Sequence, residues 1–199
     1  YFLNVFCFFL IFAGIILDKM GIRFTGLLSA SLMVIGACIK FYAMSEWFVG
    51  TGLEAWLSSW WVTLPASAKL SCFGFMIFGC GCEMAGTTVS KSIAKWFKGK
   101  EMAMAMGLEM SIARLGVFAA MWLSPFVYNK FDEAISAPVA FGTVLLLIGL
   151  IFYFVFVVMD RKFDKQLEAC GELEKGGSDE EFKLSDLGKI FKSKMFWLV

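Results

Sequence analysis

Apolar residues run in long, nearly unbroken stretches through the first 159 residues, separated by short polar breaks. A helix needs about 20 mostly apolar residues to cross a bilayer. Five stretches meet that length wholly or in part: residues 1–17, 24–43, 71–90, 102–127 and 138–159. A sixth starts near Met195. The runs are continuous rather than alternating apolar with polar, which predicts helices and not barrel strands. The breaks differ in character. Residues 18–23 form a tight charged turn and residues 91–101 a basic one, while 128–137 is a short connection. Residues 44–70 form a longer connection whose Trp47, Trp56, Trp60 and Trp61 suit a membrane interface. Residues 160–194 form a polar loop, in which Ser178-Asp-Glu-Glu181 reads as a capping box. It opens an amphipathic helix with Leu184, Leu187, Ile190 and Phe191 on one side, suited to the membrane surface.

Composition turns this pattern into a class. Hydrophobic residues make up 59% of the chain, against roughly 45–50% in soluble domains. Residues 160–199 hold 17 of the 35 charges. The remaining stretch is too poor in charge to coat a globule, so the chain reads as an all-α integral membrane protein. With no histidine, Ser-His-Asp catalysis and histidine-ligated metals are excluded. The six cysteines show no disulfide framework, and Cys80-Gly-Cys82 has the wrong spacing for CxxC chemistry. No basic aromatic tract points to nucleic acid. No catalytic, metal or cofactor constellation is present, so an enzyme is not expected. The chain opens and closes inside apolar runs and reads as a piece of a longer protein.

Lysine and arginine set the orientation. The turns at 18–23 and 91–101 and the loop at 160–194 carry fourteen, against three (Lys40, Lys69 and Lys130) on the other side. The positive-inside rule puts the charged turns and the long loop in the cytoplasm.

Between the first two spans stands Gly14-Ile-Ile-Leu-Asp18-Lys19-Met20-Gly21-Ile22-Arg23. Gly14 suits close helix contact, and Asp18, Lys19 and Arg23 gather charge at the membrane edge. Gly21 allows a tight reversal. The segment resembles the signature G-x-x-x-D-[RK]-x-G-x-R-[RK] of the major facilitator superfamily, with Phe24 in place of the last basic residue. The resemblance implies a partial N-terminal half of that helical bundle. Residues 1–159 become its helices two to six, 160–194 the cytoplasmic central loop and 195–199 the start of helix seven. A narrower resemblance rests on Gly79-Cys-Gly-Cys-Glu83, Ala94-Lys-Trp-Phe-Lys-Gly-Lys-Glu101 and the stretch from Gly107 to Arg114-Leu-Gly116. It is to the branch of lysosomal dipeptide transporters. It implies short peptides as solute, an endomembrane (lysosomal) or plasma-membrane location, and an accessory membrane glycoprotein as partner.

Glu83 and Arg114 sit deep in apolar spans, where a charge costs a few kcal/mol unless it meets a partner or an aqueous cavity. If the 91–101 turn has its tip near Lys98-Gly99, both lie about 23 Å along their helices from it, at one depth. They are therefore expected to pair, or to bind the two ends of a zwitterionic solute. Glu109 is a third charge nearer the cytoplasm and receives no ligand role. The chain thus reads as a transporter of a small polar solute working by alternating access. An organic-anion carrier, in which Arg114 dominates, is the alternative within transport. A non-transporting membrane scaffold or signalling protein is the alternative from another class.

Overall fold

The computed structural model describes residues 8–59, 63–97, 101–131 and 134–170. The elements in chain order are α1 (Phe8–Met44), a 3-10 turn (Glu46–Phe48), α2 (Gly52–Ser58), α3 (Ala66–Trp96), α4 (Glu101–Lys130) and α5 (Ser136–Cys170). Four of these helices are long and apolar enough to cross a membrane, so the described chain is an all-α membrane bundle.

The first two expected spans meet inside α1, which is two helices broken at Gly21. There φ is 78° and ψ is 169°, a combination essentially reserved for glycine because a Cβ would clash with the backbone. Thr25 Oγ1 donates to the Gly21 carbonyl at 2.9 Å, which satisfies one backbone acceptor at the break. The later helices overrun their apolar cores. α3, at 31 residues, measures about 46 Å, against about 30 Å of hydrocarbon. Its charged end therefore stays helical while standing in the headgroup region. α5 likewise continues to Cys170, past residue 159, where apolarity ends. The amphipathic segment at 178–191, the start of a further helix at 195, residues 1–7, and Trp60 and Trp61 lie outside the described residues.

The main packing joins α3 to the limb of α1 that follows Gly21. Between lipid-solvated helices there is little hydrophobic drive, so small residues that let backbones approach do the joining. A Cβ on Gly36 would lie 2.6 Å from both the Gly74 carbonyl oxygen and the Phe78 nitrogen. One on Gly74 would lie 2.9 Å from the Gly36 carbonyl oxygen, and one on Gly81 2.8 Å from the Ser29 carbonyl oxygen. Gly36 and Gly74 therefore face each other, with Ser29 against Gly81 two helical turns away, in an antiparallel seam. Thr25, Ser29, Met84 and Thr88 are buried there. The hydroxyls bond back to their own helices, as Thr88 Oγ1 does to the Met84 carbonyl at 2.7 Å, so the seam leaves no polar demand. Gly14 differs from its expected role: among the described residues nothing stands within 4 Å of the place a Cβ would take. α5 docks through Tyr153, whose hydroxyl lies over Gly26 and donates to the Ile22 carbonyl at 3.0 Å. α4 packs only lightly on α3 and α5, and Val127 is its buried residue.

Gly36→Ala is expected to destabilise the bundle by about 1–3 kcal/mol, because the atoms it meets are backbone and cannot step aside. Gly86→Ala meets nothing within 4 Å and is expected to be neutral or mildly stabilising, since alanine favours helix by about 1 kcal/mol. Melting temperatures of the two variants in detergent check the contrast.

Candidate functional site

The charges of the signature turn gather at one end of the bundle, with partners from α3 and α5. Lys91 and Lys95 are one helical turn apart on α3, and Asp160 and Asp164 one turn apart on α5. An i, i+4 spacing puts each pair on one helix face. Lys91 Nζ pairs with Asp18. Arg23 Nε donates to Asp160 Oδ2 at 2.6 Å, while its Nη2 reaches Asp164 and also the Asp160 carbonyl. Lys95 Nζ lies 2.8 Å from both Asp160 Oδ1 and Asp164 Oδ1. Trp96 Nε1 donates to Asp160 Oδ1 at 3.2 Å. Its indole stacks on Phe163 with centroids 4.4 Å apart and planes 14° apart. The Trp96 ring thus covers one flank of the cluster while its N–H feeds it.

Asp160 is the hub. It is 1% exposed, and a carboxylate so shut from water is costly unless its lone pairs are filled. Here both oxygens are filled by two cations and an indole N–H, and the Arg23 fork holds two carboxylates at once. The Asp18–Lys91 pair is different: the two side chains are 27% and 45% exposed, and such a pair contributes at most about 1 kcal/mol. The site therefore has a tight centre and a loose edge.

Of the signature residues, Asp18 and Arg23 enter this cluster, Gly21 supplies the break that lets them do so, and Lys19 stays exposed. Asp160, Asp164, Lys91, Lys95 and Trp96 carry most of the site and are not singled out by the motif. The matched spacing of two acids on α5 and two lysines on α3 is the signal that finds the four charges, while Trp96 stands beside Lys95 in the aromatic-basic stretch 94–101. Reading residue 160 as the start of a loop hides it, because helical periodicity is then not applied to Asp160 and Asp164.

Glu83 and Arg114 are both exposed, and no ion pair joins them among the described residues. The expected pairing is not made because α4 touches α3 too sparsely to bring Arg114 across. Glu109 is half-buried and makes no ion pair among the described residues. A cavity of about 220 Å³ lies between α1, α3 and α5, lined by Gly26, Met33, Thr88, Leu146 and Tyr153 among others. Its Thr88 and Tyr153 hydroxyls are committed to backbone carbonyls, so it presents hydrocarbon and does not suit a polar solute.

The model of the Major Facilitator Superfamily matches residues 1–199. A lysosomal dipeptide transporter MFSD1 of Pongo abelii is 26% identical over 204 residues, covering 98% of this chain and 38% of that protein. The Homo sapiens protein of the same name is 27% identical over 200 residues, with the same coverage. That of Danio rerio is 30% identical over 130 residues, covering 63% of this chain and 28% of that protein. The chain therefore spans under two-fifths of the length of these relatives. No solved structure matches it.

Asp160→Asn is expected to cost about 2–3 kcal/mol, because it removes the charge from a buried acceptor that serves Arg23, Lys95 and Trp96. Asp164→Asn, one-third exposed, is expected to cost under about 1 kcal/mol. Thermal unfolding in detergent measures both, and equal losses would contradict the central place of Asp160.

Proposed function

The chain belongs to the major facilitator superfamily, and on that premise we propose that the protein is a secondary transporter moving a small polar solute by alternating access. The observation that carries this reading is the signature turn, whose Asp18 and Arg23 tie α1 to α3 and α5 at one end of the bundle. The excess of basic residues at that end supports a cytoplasmic placement. The helices then correspond to helices two to six of the N-terminal half, with residues 160–194 leading toward the second half. In this reading Asp160, Arg23 and Lys95 move as one rigid unit, while the weaker Asp18–Lys91 tie breaks and reforms as the cavity opens from one side to the other.

Short peptides are the proposed solute. The names of the relatives support that class and a lysosomal location, at 26–30% identity over the matched segments. An accessory membrane glycoprotein belongs to the same reading. Glu83 and Arg114 suit a zwitterion, the carboxylate for an amine and the guanidinium fork for a carboxylate. Both are open charges on apolar helices, a setting that calls for a partner or an aqueous path.

Asp18→Asn in the full-length protein is expected to lower solute flux severalfold in proteoliposomes while leaving expression and assembly intact. A loss of about 1 kcal/mol from one access state is enough to shift a two-state balance several-fold. Wild-type flux in a well-expressed variant would remove the gating role. Arg114→Lys is expected to weaken peptide binding with folding unchanged, because it keeps the charge and loses the fork. The double exchange Glu83→Arg with Arg114→Glu should give no flux despite a normal melting temperature. Restored flux would make the two residues structural and remove them from the binding site.

A further inference from the structure

At the end of the bundle away from the Asp160 cluster, the chain between α1 and α3 folds back on itself in an unusual sense. Phe48, Leu57 and Ala66 are buried together, with Tyr42 and Leu70 packed against them. Tyr42 and Phe48 meet edge to face, with centroids 5.9 Å apart. This small core pins the 3-10 turn and α2 to the ends of the two spanning helices. Several polar groups of the segment are spent on its own backbone. Ser45 Oγ donates to the Tyr42 carbonyl at 2.8 Å and Thr51 Oγ1 to the Phe48 carbonyl at 2.6 Å. Glu54 Oε2 accepts the Gly50 N–H at 2.6 Å, and Lys69 Nζ donates to the Leu57 carbonyl at 2.7 Å, closing the end of α2.

The large side chains left outside are mostly apolar, beside the exposed Glu46, Ser58 and Ser59. Trp47 is 77% exposed and Val49 71%, and Leu53, Trp56 and Leu64 are also exposed. A connection standing in water would show the reverse, with polar groups out. The segment leaves α1 at Met44 and enters α3 at Ala66, so it stands where both spans emerge from the bilayer. Phe73 and Phe75 of α3 are exposed as well. Trp side chains favour this level, where the ring meets hydrocarbon and the N–H meets headgroups. The exposed Glu46 keeps the rim from sinking deeper.

We propose that the 3-10 turn Glu46–Phe48 and the helix Gly52–Ser58 form an interfacial anchor that lies in the headgroup–acyl boundary of the leaflet opposite the charge cluster, with Trp47 inserted among the lipids. The occupant of this face is the bilayer itself. The anchor holds the outer ends of α1 and α3 at a set depth, and it does so whatever solute the protein carries.

The test uses the full-length protein reconstituted in vesicles of phosphatidylcholine brominated high on its acyl chains, with a parallel titration by iodide on both sides of the membrane. The Trp47 contribution is the difference between the emission of the native protein and of Trp47→Phe. It is expected to be lost largely to the brominated lipid and little to iodide. A difference lost to iodide alone would put Trp47 in water, and one insensitive to both quenchers would put it under a protein surface. Either result overturns the anchor. Trp56→Phe supplies the same reading independently should Trp47→Phe fail to reconstitute.

Discussion

Asp160 carries a charge at a position almost closed to solvent, and three helices are arranged to satisfy it. Arg23 arrives from α1, Lys95 and Trp96 from α3, and Asp160 itself from the overrunning end of α5. A buried carboxylate with one missing partner is far worse than none at all, so the three helix ends must be present together. That requirement explains why α3 and α5 extend beyond the hydrocarbon and why α1 must break at Gly21 rather than run on. A straight helix through residue 21 would carry Arg23 onward along its own axis and away from α5.

The rest of the bundle rests on the absence of side chain rather than on its presence. Gly36 against Gly74 and Ser29 against Gly81 bring two backbones into contact along α1 and α3, which is the route to tight packing where lipid offers as much apolar contact as a neighbouring helix does. Packing of this kind gives a stiff pair. α5 joins it through Tyr153 over Gly26 and through the ion cluster. α4, with hardly any buried residue, stands apart from this unit. Glu83 and Arg114 are consequently open, because α3 and α4 touch only sparsely.

The two ends of the bundle do different work. One concentrates charge into a hub with a looser pair at its edge, suited to being opened and closed. The other turns Trp47 and Trp56 outward beside the exposed Glu46.

Much of this is written locally in the chain. Runs of about 20 apolar residues demand helices because no other structure satisfies the backbone in lipid, and the skew of lysine and arginine orients them. The need for glycine at residue 21 is also local, since only that residue tolerates the turn. The overrun of α5 was not legible from hydropathy, which marks where lipid ends and not where hydrogen bonding ends. Nor did the glycine-rich run reveal that Gly74 and Gly81 are in the seam while Gly79 and Gly86 face open space. That depends on how α1 and α3 are rotated against each other. Equal depth suggested that Glu83 should meet Arg114, but depth fixes only height along the membrane normal. Which charges touch is decided by helix rotation and separation. These come from backbone contacts between residues far apart in the chain, and so Arg23 finds Asp160 while Glu83 finds no partner in α4.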